Sequence, residues 1–256
     1  MILQSVTTWN NSAYKIPFSN KCLCATLYIN DTQLETLMNN DTINVEHILV
    51  KDSSQIPQNN SLKICHQNIR GLGNKSNELY CHLHHDLPHI LCLSEHRLSE
   101  SQLQLIHLIN YSLGTNYCGK NFLKGGVSIL VYRNLKYNTI NVDEYNIDKD
   151  TEACAVWLDS TFNKLCILTI DFLNWLDLIL QKLYSNKYNI VIYSDVNVNY
   201  LIDDNRRSQL DAVLHSYNLA GIVKFPTRFD LNSHKTAIDI VSLTHPPLEN
   251  MIYTLL

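Results

Sequence analysis

The sequence predicts a mixed α/β fold in which β-sheets are covered by helices. From residue 61 onwards, short apolar strand-like runs alternate with amphipathic helical segments. Two strands in the middle of the chain are joined by residues 160–163, a connection short enough for a hairpin. The chain has 256 residues, of which 45% are hydrophobic and 17% charged, so it is long and apolar enough to bury a core.

Each predicted strand is a run of apolar residues bounded by polar or turn-forming residues. The predicted strands are 61–69, 89–95, 125–133, 152–159, 164–170, a run that begins at 191, and 236–243. The predicted helices carry apolar residues three or four positions apart, and Ser99 is a suitable N-cap for the second of them. These helices are 74–86, 99–111, 172–186 and 205–217.

Composition also divides the chain. Residues 1–60 are polar and remain unassigned, and 51–60 have the composition of a linker. We therefore expect one domain over 61–245, followed by a short tail over 246–256. No internal repeat is found.

Charge and cysteine content indicate the environment of the protein. The formal net charge of -4 is mild, so nucleic-acid binding would require a local basic patch. The eight cysteines include no C-x-x-C pair, and Cys65, Cys92 and Cys166 lie in apolar strand-like runs, which is typical of free cysteines in a reducing compartment. With no signal peptide and no membrane-spanning run, we expect a soluble protein of the nucleus or cytoplasm.

The stretch VIYSDVNVNY (191–200) begins as a buried strand and ends in polar residues at alternate positions. If the strand continued, Asp195, Asn197 and Asn199 would project to one face of the sheet, because side chains alternate with a period of two. A polar row at the end of an apolar strand indicates a polar ligand there, although Asn199 could equally be a turn residue.

Other predicted strands also carry polar residues near their ends, namely Asn68, Glu95 and Asp239. Taken singly, each is explained by a surface turn, which Asn and Asp favour. Taken together with Asp195 and Asn197, they offer hard oxygen ligands without a thiolate or histidine cluster. This combination predicts a magnesium site of the kind used in phosphoryl transfer.

The motifs at these positions resemble those of the endonuclease/exonuclease/phosphatase superfamily. More narrowly, they resemble the endonuclease domain at the start of the reverse-transcriptase polyprotein of non-LTR retrotransposons, in a truncated copy, over about residues 61–243. The motifs are Q-N-I-R (67–70), S-E-H-R-L (94–98), S-D-V-N (194–197), F-P-T-R (225–228) and T-A-I-D (236–239). The resemblance implies a four-layer sandwich of two mixed sheets flanked by helices, incomplete at its C-terminal end.

The resemblance also implies a role for each site residue. Glu95 would bind Mg²⁺ or Mn²⁺, and Asn68 would support the metal site. Asp195 would activate or position the attacking water, and Asn197 would orient Asp195 and contact the phosphate. Asp239 would orient a histidine that stabilises the transition state.

Two features depart from the family pattern. No S-D-H motif follows Asp239, and the segment 164–175 is too short for the loop that lines the family's cleft. The prediction is therefore a DNA endonuclease-type phosphodiester hydrolase with impaired activity. The alternatives are a non-catalytic remnant that keeps the fold, or a phosphatase or sphingomyelinase-like hydrolase.

The resemblance implies DNA as the partner and a former fusion to a reverse transcriptase domain. Arg206 and Arg207, at the start of the helix 205–217, and Arg228 are the candidate contacts to a phosphate backbone. An ordinary charged surface explains these arginines equally well.

Overall fold

The computed structural model is built around two six-stranded mixed β-sheets that pack face to face. Short helices cover the sheets, so the predicted α/β sandwich is confirmed. The structure describes residues 23–28, 61–83, 87–121, 124–159, 164–171, 175–185, 188–195, 198–221, 228–229, 235–237, 239–244 and 251–255.

The first sheet has the strand order β14–β1–β2–β3–β5–β4. Its strands are β1 Leu23–Tyr28, β2 Ser61–Asn68, β3 Ile90–Ser94, β4 Tyr111–Tyr117, β5 Val127–Tyr132 and β14 Met251–Leu255. Only β2 and β3 are parallel, and they end together because Asn68 lies opposite Ser94.

The second sheet has the strand order β10–β13–β9–β8–β7–β6. Its strands are β6 Asn138–Ile140, β7 Glu152–Asp159, β8 Lys164–Asp171, β9 Asn189–Asp195, β10 Leu219–Gly221 and β13 Asp239–Thr244. Here β8 and β9 are the parallel pair, and Asp171 lies opposite Asp195. The two short strands β11 Arg228–Phe229 and β12 Lys235–Thr236 pair with each other.

The layers follow from which side chains are buried. Ile64 and Cys92, from β2 and β3, belong to the core cluster that also contains the second sheet, whereas their neighbours Cys65 and Leu91 pack with the first two helices. Side-chain alternation along a strand therefore gives each face its own apolar layer. The helices are α1 Ser76–Leu83, α2 Glu100–Gln104, α3 Leu176–Ser185 and α4 Asn205–Ser216, with a 3-10 turn at Asp143–Tyr145.

One local prediction is wrong, and the alternative interpretation of Asn199 as a turn residue is confirmed. The helix predicted over 99–111 ends at Gln104, because Asn110 takes a left-handed φ of 71° and Tyr111 enters strand β4, where its hydroxyl donates to the Pro88 carbonyl. The strand that begins the stretch 191–200 ends at Asp195, so it does not carry Asn199 on the face of Asp195. The predicted N-cap at Ser99 is confirmed, and its side chain forms a capping box with Gln102.

The first sheet extends into both flanking segments of the chain. Strand β1 lies within 1–60 and strand β14 within 246–256, and the two strands pair with each other. The division of the chain at residues 60 and 245 stays a prediction. The expectation that Cys65 is free is wrong, because Cys65 is disulfide-bonded, and Cys24 lies opposite it in the β1–β2 register. None of the described helices is long and apolar enough to cross a membrane.

Candidate functional site

The candidate site lies where strands of the two sheets end side by side. Asn68 is the last residue of β2, and Asp195 is the last residue of β9 in the facing sheet. Asp239 is the first residue of β13, and it pairs with Asp195 because β13 runs antiparallel to β9. The predicted juxtaposition of Asn68, Asp195 and Asp239 thus results from chain direction and register.

Asn68 connects the two sheets through its side-chain amide. Its Nδ2 donates to Oε1 of Glu95 at 2.8 Å and to Oδ2 of Asp195 at 2.5 Å. Its Oδ1 accepts from the backbone N–H of Arg70 at 3.2 Å, which fixes the orientation of the amide. Asn68 and Asp195 are both buried. One neutral donor therefore holds two carboxylates together at the sheet ends, where the cost of burying them is offset by hydrogen bonding.

Glu95 follows β3 directly and takes a left-handed φ of 51°. Backbone hydrogen bonds hold this conformation: the Gly71 N–H donates to the Glu95 carbonyl at 2.8 Å, and the neighbouring His96 N–H donates to the Gly126 carbonyl at 3.1 Å. A non-glycine residue in this region carries strain, which folds tolerate mainly where the surrounding structure forces it. The backbone therefore turns at Glu95 so that its side chain reaches Asn68.

Two arginines flank the Glu95 carboxylate. Nη2 of Arg97 lies 2.6 Å from Oε2 of Glu95, and Nε of Arg70 lies 4.0 Å from Oε1. Both arginines are partly exposed, whereas Asn68 and Asp195 are buried. The site thus has buried polar groups at its base and two guanidinium groups at its rim.

Two acidic residues that were not predicted from the sequence, Glu152 and Asp171, lie in the same row as Asp195. Strand pairing places Glu152 opposite Asp171, Asp171 opposite Asp195, and Asp195 opposite Asp239, so four acidic residues form one row across β7, β8, β9 and β13. Glu152 and Asp171 are both buried. A charged residue at the end of an apolar strand was the available signal, since Glu152 begins one predicted strand and Asp171 follows another.

The environment of Glu152 favours its protonated form. Its Oε2 accepts from the Gly126 N–H at 2.5 Å, and the residue is buried. Burial raises the pKa of Glu152 against the opposing effect of hydrogen bonds from the backbone of Gly126 and Lys149, and the nearby carboxylates of Asp148 and Glu95 raise it further.

His96, which lies inside the S-E-H-R-L motif, has a structural role. Its Nε2 lies 3.1 Å from the Tyr117 carbonyl, and its Nδ1 accepts from the Leu98 N–H at 3.1 Å. These contacts match a neutral ring that donates from Nε2. Burial lowers the pKa of His96 to about 4, which also keeps the ring neutral. The ring packs against Gly126, which has a φ of 94° and no room for a Cβ.

Several predicted residues lie away from this cluster or outside the described residues. Asn197 and the side chains of Asp239 and Arg228 lie outside the described residues. Asn199 is a turn residue, as predicted in the alternative, because its Oδ1 accepts from the backbone N–H groups of Leu201 and Ala237. The predicted DNA contacts Arg206 and Arg207 lie in the first turn of α4.

The guanidinium of Arg207 interacts with a residue of its own helix and with a residue of the preceding turn. Its Nε lies 3.6 Å from Oδ2 of Asp211, and its guanidinium lies 5.5 Å from the centre of the Tyr200 ring. Arg206 is exposed. Of these two, Arg206 therefore offers the more available charge.

The residues at the sheet ends offer carboxylate oxygens to a divalent cation. In the part of the chain that the structure describes, no group of three or more His, Cys, Asp and Glu side chains is placed to hold a metal. Magnesium needs fewer, because it usually takes one or two carboxylates and completes its coordination with water and phosphate oxygens. Glu95 and Asp195 share one hydrogen-bond donor, the Asn68 amide nitrogen, so the two carboxylates are the oxygen ligands that this arrangement brings together.

Comparison with solved structures identifies the fold. The endonuclease domain of TRAS1, a telomere-specific non-LTR retrotransposon, superimposes with a TM-score of 0.53 at 13% identity, over 73% of this chain and 86% of that one. The mannosyl-6-phosphatase Bt3783 of Bacteroides thetaiotaomicron VPI-5482 superimposes with a TM-score of 0.50 at 13% identity, over 72% of this chain and 85% of that one. The chain has the endonuclease/exonuclease/phosphatase fold. No family model and no curated protein matches the sequence.

Proposed function

We propose that this chain is a divalent-metal-dependent phosphodiester hydrolase of the DNA endonuclease type. The bridge that Asn68 makes between Glu95 and Asp195 supports this most directly. Two carboxylates from facing sheets are held at one buried donor. This arrangement suits a metal ion that also binds a phosphate oxygen better than it suits a structural role alone. The resemblance of the five sequence motifs to those of retrotransposon endonucleases supports the same class.

Glu95 would hold the ion, and Asn68 would support the metal site through its hydrogen bond to Glu95. When bound, the ion polarises a phosphoryl oxygen and stabilises the charge that develops on it. Asp195 would accept the proton of the attacking water. The Asn68 amide holds Oδ2 of Asp195, so this carboxylate is oriented before the substrate arrives. Asn197 would orient Asp195 and contact the phosphate. Asp239, which lies opposite Asp195 in the strand register, would orient a histidine that stabilises the transition state.

DNA is the proposed substrate, and a retrotransposon the proposed origin, with a reverse transcriptase as the former fusion partner. The TRAS1 domain, with the same fold, is itself described as an endonuclease of a non-LTR retrotransposon. Arg206, Arg207 and Arg228 are the proposed contacts to the phosphate backbone, where each neutralised phosphate releases a counterion and makes binding salt-dependent. We propose activity below that of intact relatives, because only four residues, 172–175, separate β8 from α3.

A phosphomonoesterase is the second candidate. The mannosyl-6-phosphatase shares the fold with a TM-score of 0.50. The chemistry at the metal is common to both reactions, so the substrate is selected by residues around the cleft.

The test is nicking of supercoiled plasmid in Mg²⁺ by the wild type, by Asp195→Asn and by the control Asp203→Asn, an exposed aspartate of the following loop. Loss of a general base typically costs about 10²- to 10⁴-fold in rate, so Asp195→Asn and EDTA should each abolish nicking while Asp203→Asn retains it. Hydrolysis of a sugar phosphate without nicking would select the phosphatase. A folded protein with neither activity would indicate a non-catalytic remnant.

A further inference from the structure

Arg97 occupies the same carboxylate that the proposed metal would need. Its Nη2 lies 2.6 Å from Oε2 of Glu95, and the Asn68 amide already donates to Oε1 at 2.8 Å. Both oxygens of Glu95 are therefore engaged. A cation that binds Glu95 must either share Oε2 with a guanidinium or displace that guanidinium.

The backbone directs the two arginines towards Glu95. Arg70, Glu95 and Arg97 all take left-handed φ angles, of 46°, 51° and 58°. Six described non-glycine residues have a positive φ, so half of them belong to these two adjoining turns. The turns are joined by the hydrogen bond from the Gly71 N–H to the Glu95 carbonyl, and Arg97 is further held by its N–H, which donates to the Gly125 carbonyl at 2.8 Å.

Charge decides what happens when a divalent cation arrives. Without a cation, the negative charges of Glu95 and Asp195 are offset by the guanidinium groups of Arg97 and Arg70. A cation with two positive charges on Glu95 competes with Arg97 for the same oxygen and repels its guanidinium. The side chain of Arg97 is 40% exposed, so it can leave Glu95 without breaking any packed core.

A released guanidinium at the rim is well suited to phosphate. Its planar fork donates two parallel hydrogen bonds to phosphate oxygens, which a lysine ammonium cannot do. Arg70, whose side chain is 33% exposed, stands on the other side of Glu95 as a second donor. Arg97 would therefore exchange a carboxylate partner for a phosphate partner in the same cleft.

We propose that Arg97 is a phosphate-binding residue that Glu95 holds until a divalent cation takes its place, so that metal and phosphodiester bind cooperatively. This rests on the proposed function, and it adds a specific residue and a coupling to it. Because linkage is reciprocal, the metal should strengthen phosphodiester binding by the same factor by which the phosphodiester strengthens metal binding. Couplings of this kind are typically about 5- to 150-fold.

The test measures two affinities in the full chain. Mn²⁺ binding is followed by electron paramagnetic resonance, and binding of a phosphorothioate duplex oligonucleotide is followed by fluorescence anisotropy, each with and without the other ligand. The variants are Arg97→Gln, which removes the charge, and Arg97→Lys, which keeps the charge and loses the fork. Arg133→Gln is the control, because Arg133 is exposed in the turn at the far end of β5.

In the wild type and in Arg133→Gln, we expect Mn²⁺ to tighten oligonucleotide binding about tenfold. In Arg97→Gln, Mn²⁺ should bind several-fold tighter than in the wild type without oligonucleotide, because its competitor on Glu95 is gone, and the coupling should fall several-fold. Arg97→Lys should keep only part of the coupling. Removing a merely structural ion pair would also favour Mn²⁺ on Glu95, but it would leave the coupling to the oligonucleotide at its wild-type value.

Two outcomes would overturn the proposal in distinguishable ways. If the wild type binds Mn²⁺ and nicks plasmid while Arg97→Gln keeps the full coupling, Arg97 forms an ordinary surface ion pair and the proposed function stands. If the folded wild type binds no Mn²⁺, the proposed function and this inference both fail.

Discussion

Replacing Asn68 by aspartate should destabilise the fold strongly in the absence of metal. The substitution keeps the shape but exchanges the donor between Glu95 and Asp195 for a third carboxylate. It removes two hydrogen bonds to charged groups, each worth about 1.5–3 kcal/mol. Since the Glu95 side chain is 23% exposed, the hydrogen bond from Asn68 to Glu95 contributes a free energy at the lower end of that range. We expect a loss of about 3–5 kcal/mol, which for a chain of this size lowers Tm by about 6–20 °C.

Thermal unfolding followed by circular dichroism at pH 7 measures this effect, with Asn138→Asp as the control. Asn138 is exposed in strand β6, where the same substitution should change stability by no more than about 0.5 kcal/mol. Mg²⁺ should raise the Tm of Asn68→Asp more than that of the wild type, because a third carboxylate strengthens cation binding to the folded state. If Asn68→Asp melts like Asn138→Asp, the amide does not bridge the two carboxylates. If Mg²⁺ leaves the difference in Tm between Asn68→Asp and the wild type unchanged, the amide bridges the two carboxylates but no cation binds to them.

Two further predictions concern residues that surround the site. Because burial raises the pKa of Glu152, the folded state binds its proton more tightly than the unfolded chain, and the resulting stability is lost as pH rises from about 4.3 through the raised pKa. Glu152→Gln should therefore gain stability relative to the wild type as pH rises, measured by urea midpoints, and a difference independent of pH would contradict this. Gly126→Ala should cost about 2 kcal/mol or more, because a Cβ there collides with the His96 ring at a positive φ. Gly73→Ala, whose Cβ would meet Leu98 at 3.4 Å, should be nearly neutral, and equal losses in the two urea midpoints would refute the packing argument.

Strand positions could be predicted where an apolar run is bounded by turn-forming residues. Strands β7 and β8, predicted at 152–159 and 164–170, form at Glu152–Asp159 and Lys164–Asp171. The segment 99–111 could not be predicted in the same way, because its leucines also suit a helix. Leu105 and Ile109 are exposed, and Tyr111 is held in β4 by pairing with Tyr132. The sheet overrides the local helical pattern there.

The residues of the candidate site also fall into two groups: those that the sequence identifies, and those that only the tertiary structure places. Asn68, Glu95 and Asp195 could be found from the sequence, since each is a polar residue at the end of an apolar strand, where burial without a partner is costly. Glu152 and Asp171 carry a similar local signal, but their place beside Asp195 depends on which strands pair and in which register. The ion pair between Arg97 and Glu95 depends on left-handed turns that no local propensity indicates.

The sequence by itself therefore determined the alternation of strands and helices and the polar strand ends, because apolar periodicity and turn chemistry act over a few residues. Only the tertiary structure decided that Asn68 from one sheet would join Glu95 and Asp195, and that Arg97 would lie on the same carboxylate. Those contacts bring together residues far apart in the chain. Their geometry is set by the packing of two sheets and the register of their strands, which one strand's residues do not encode.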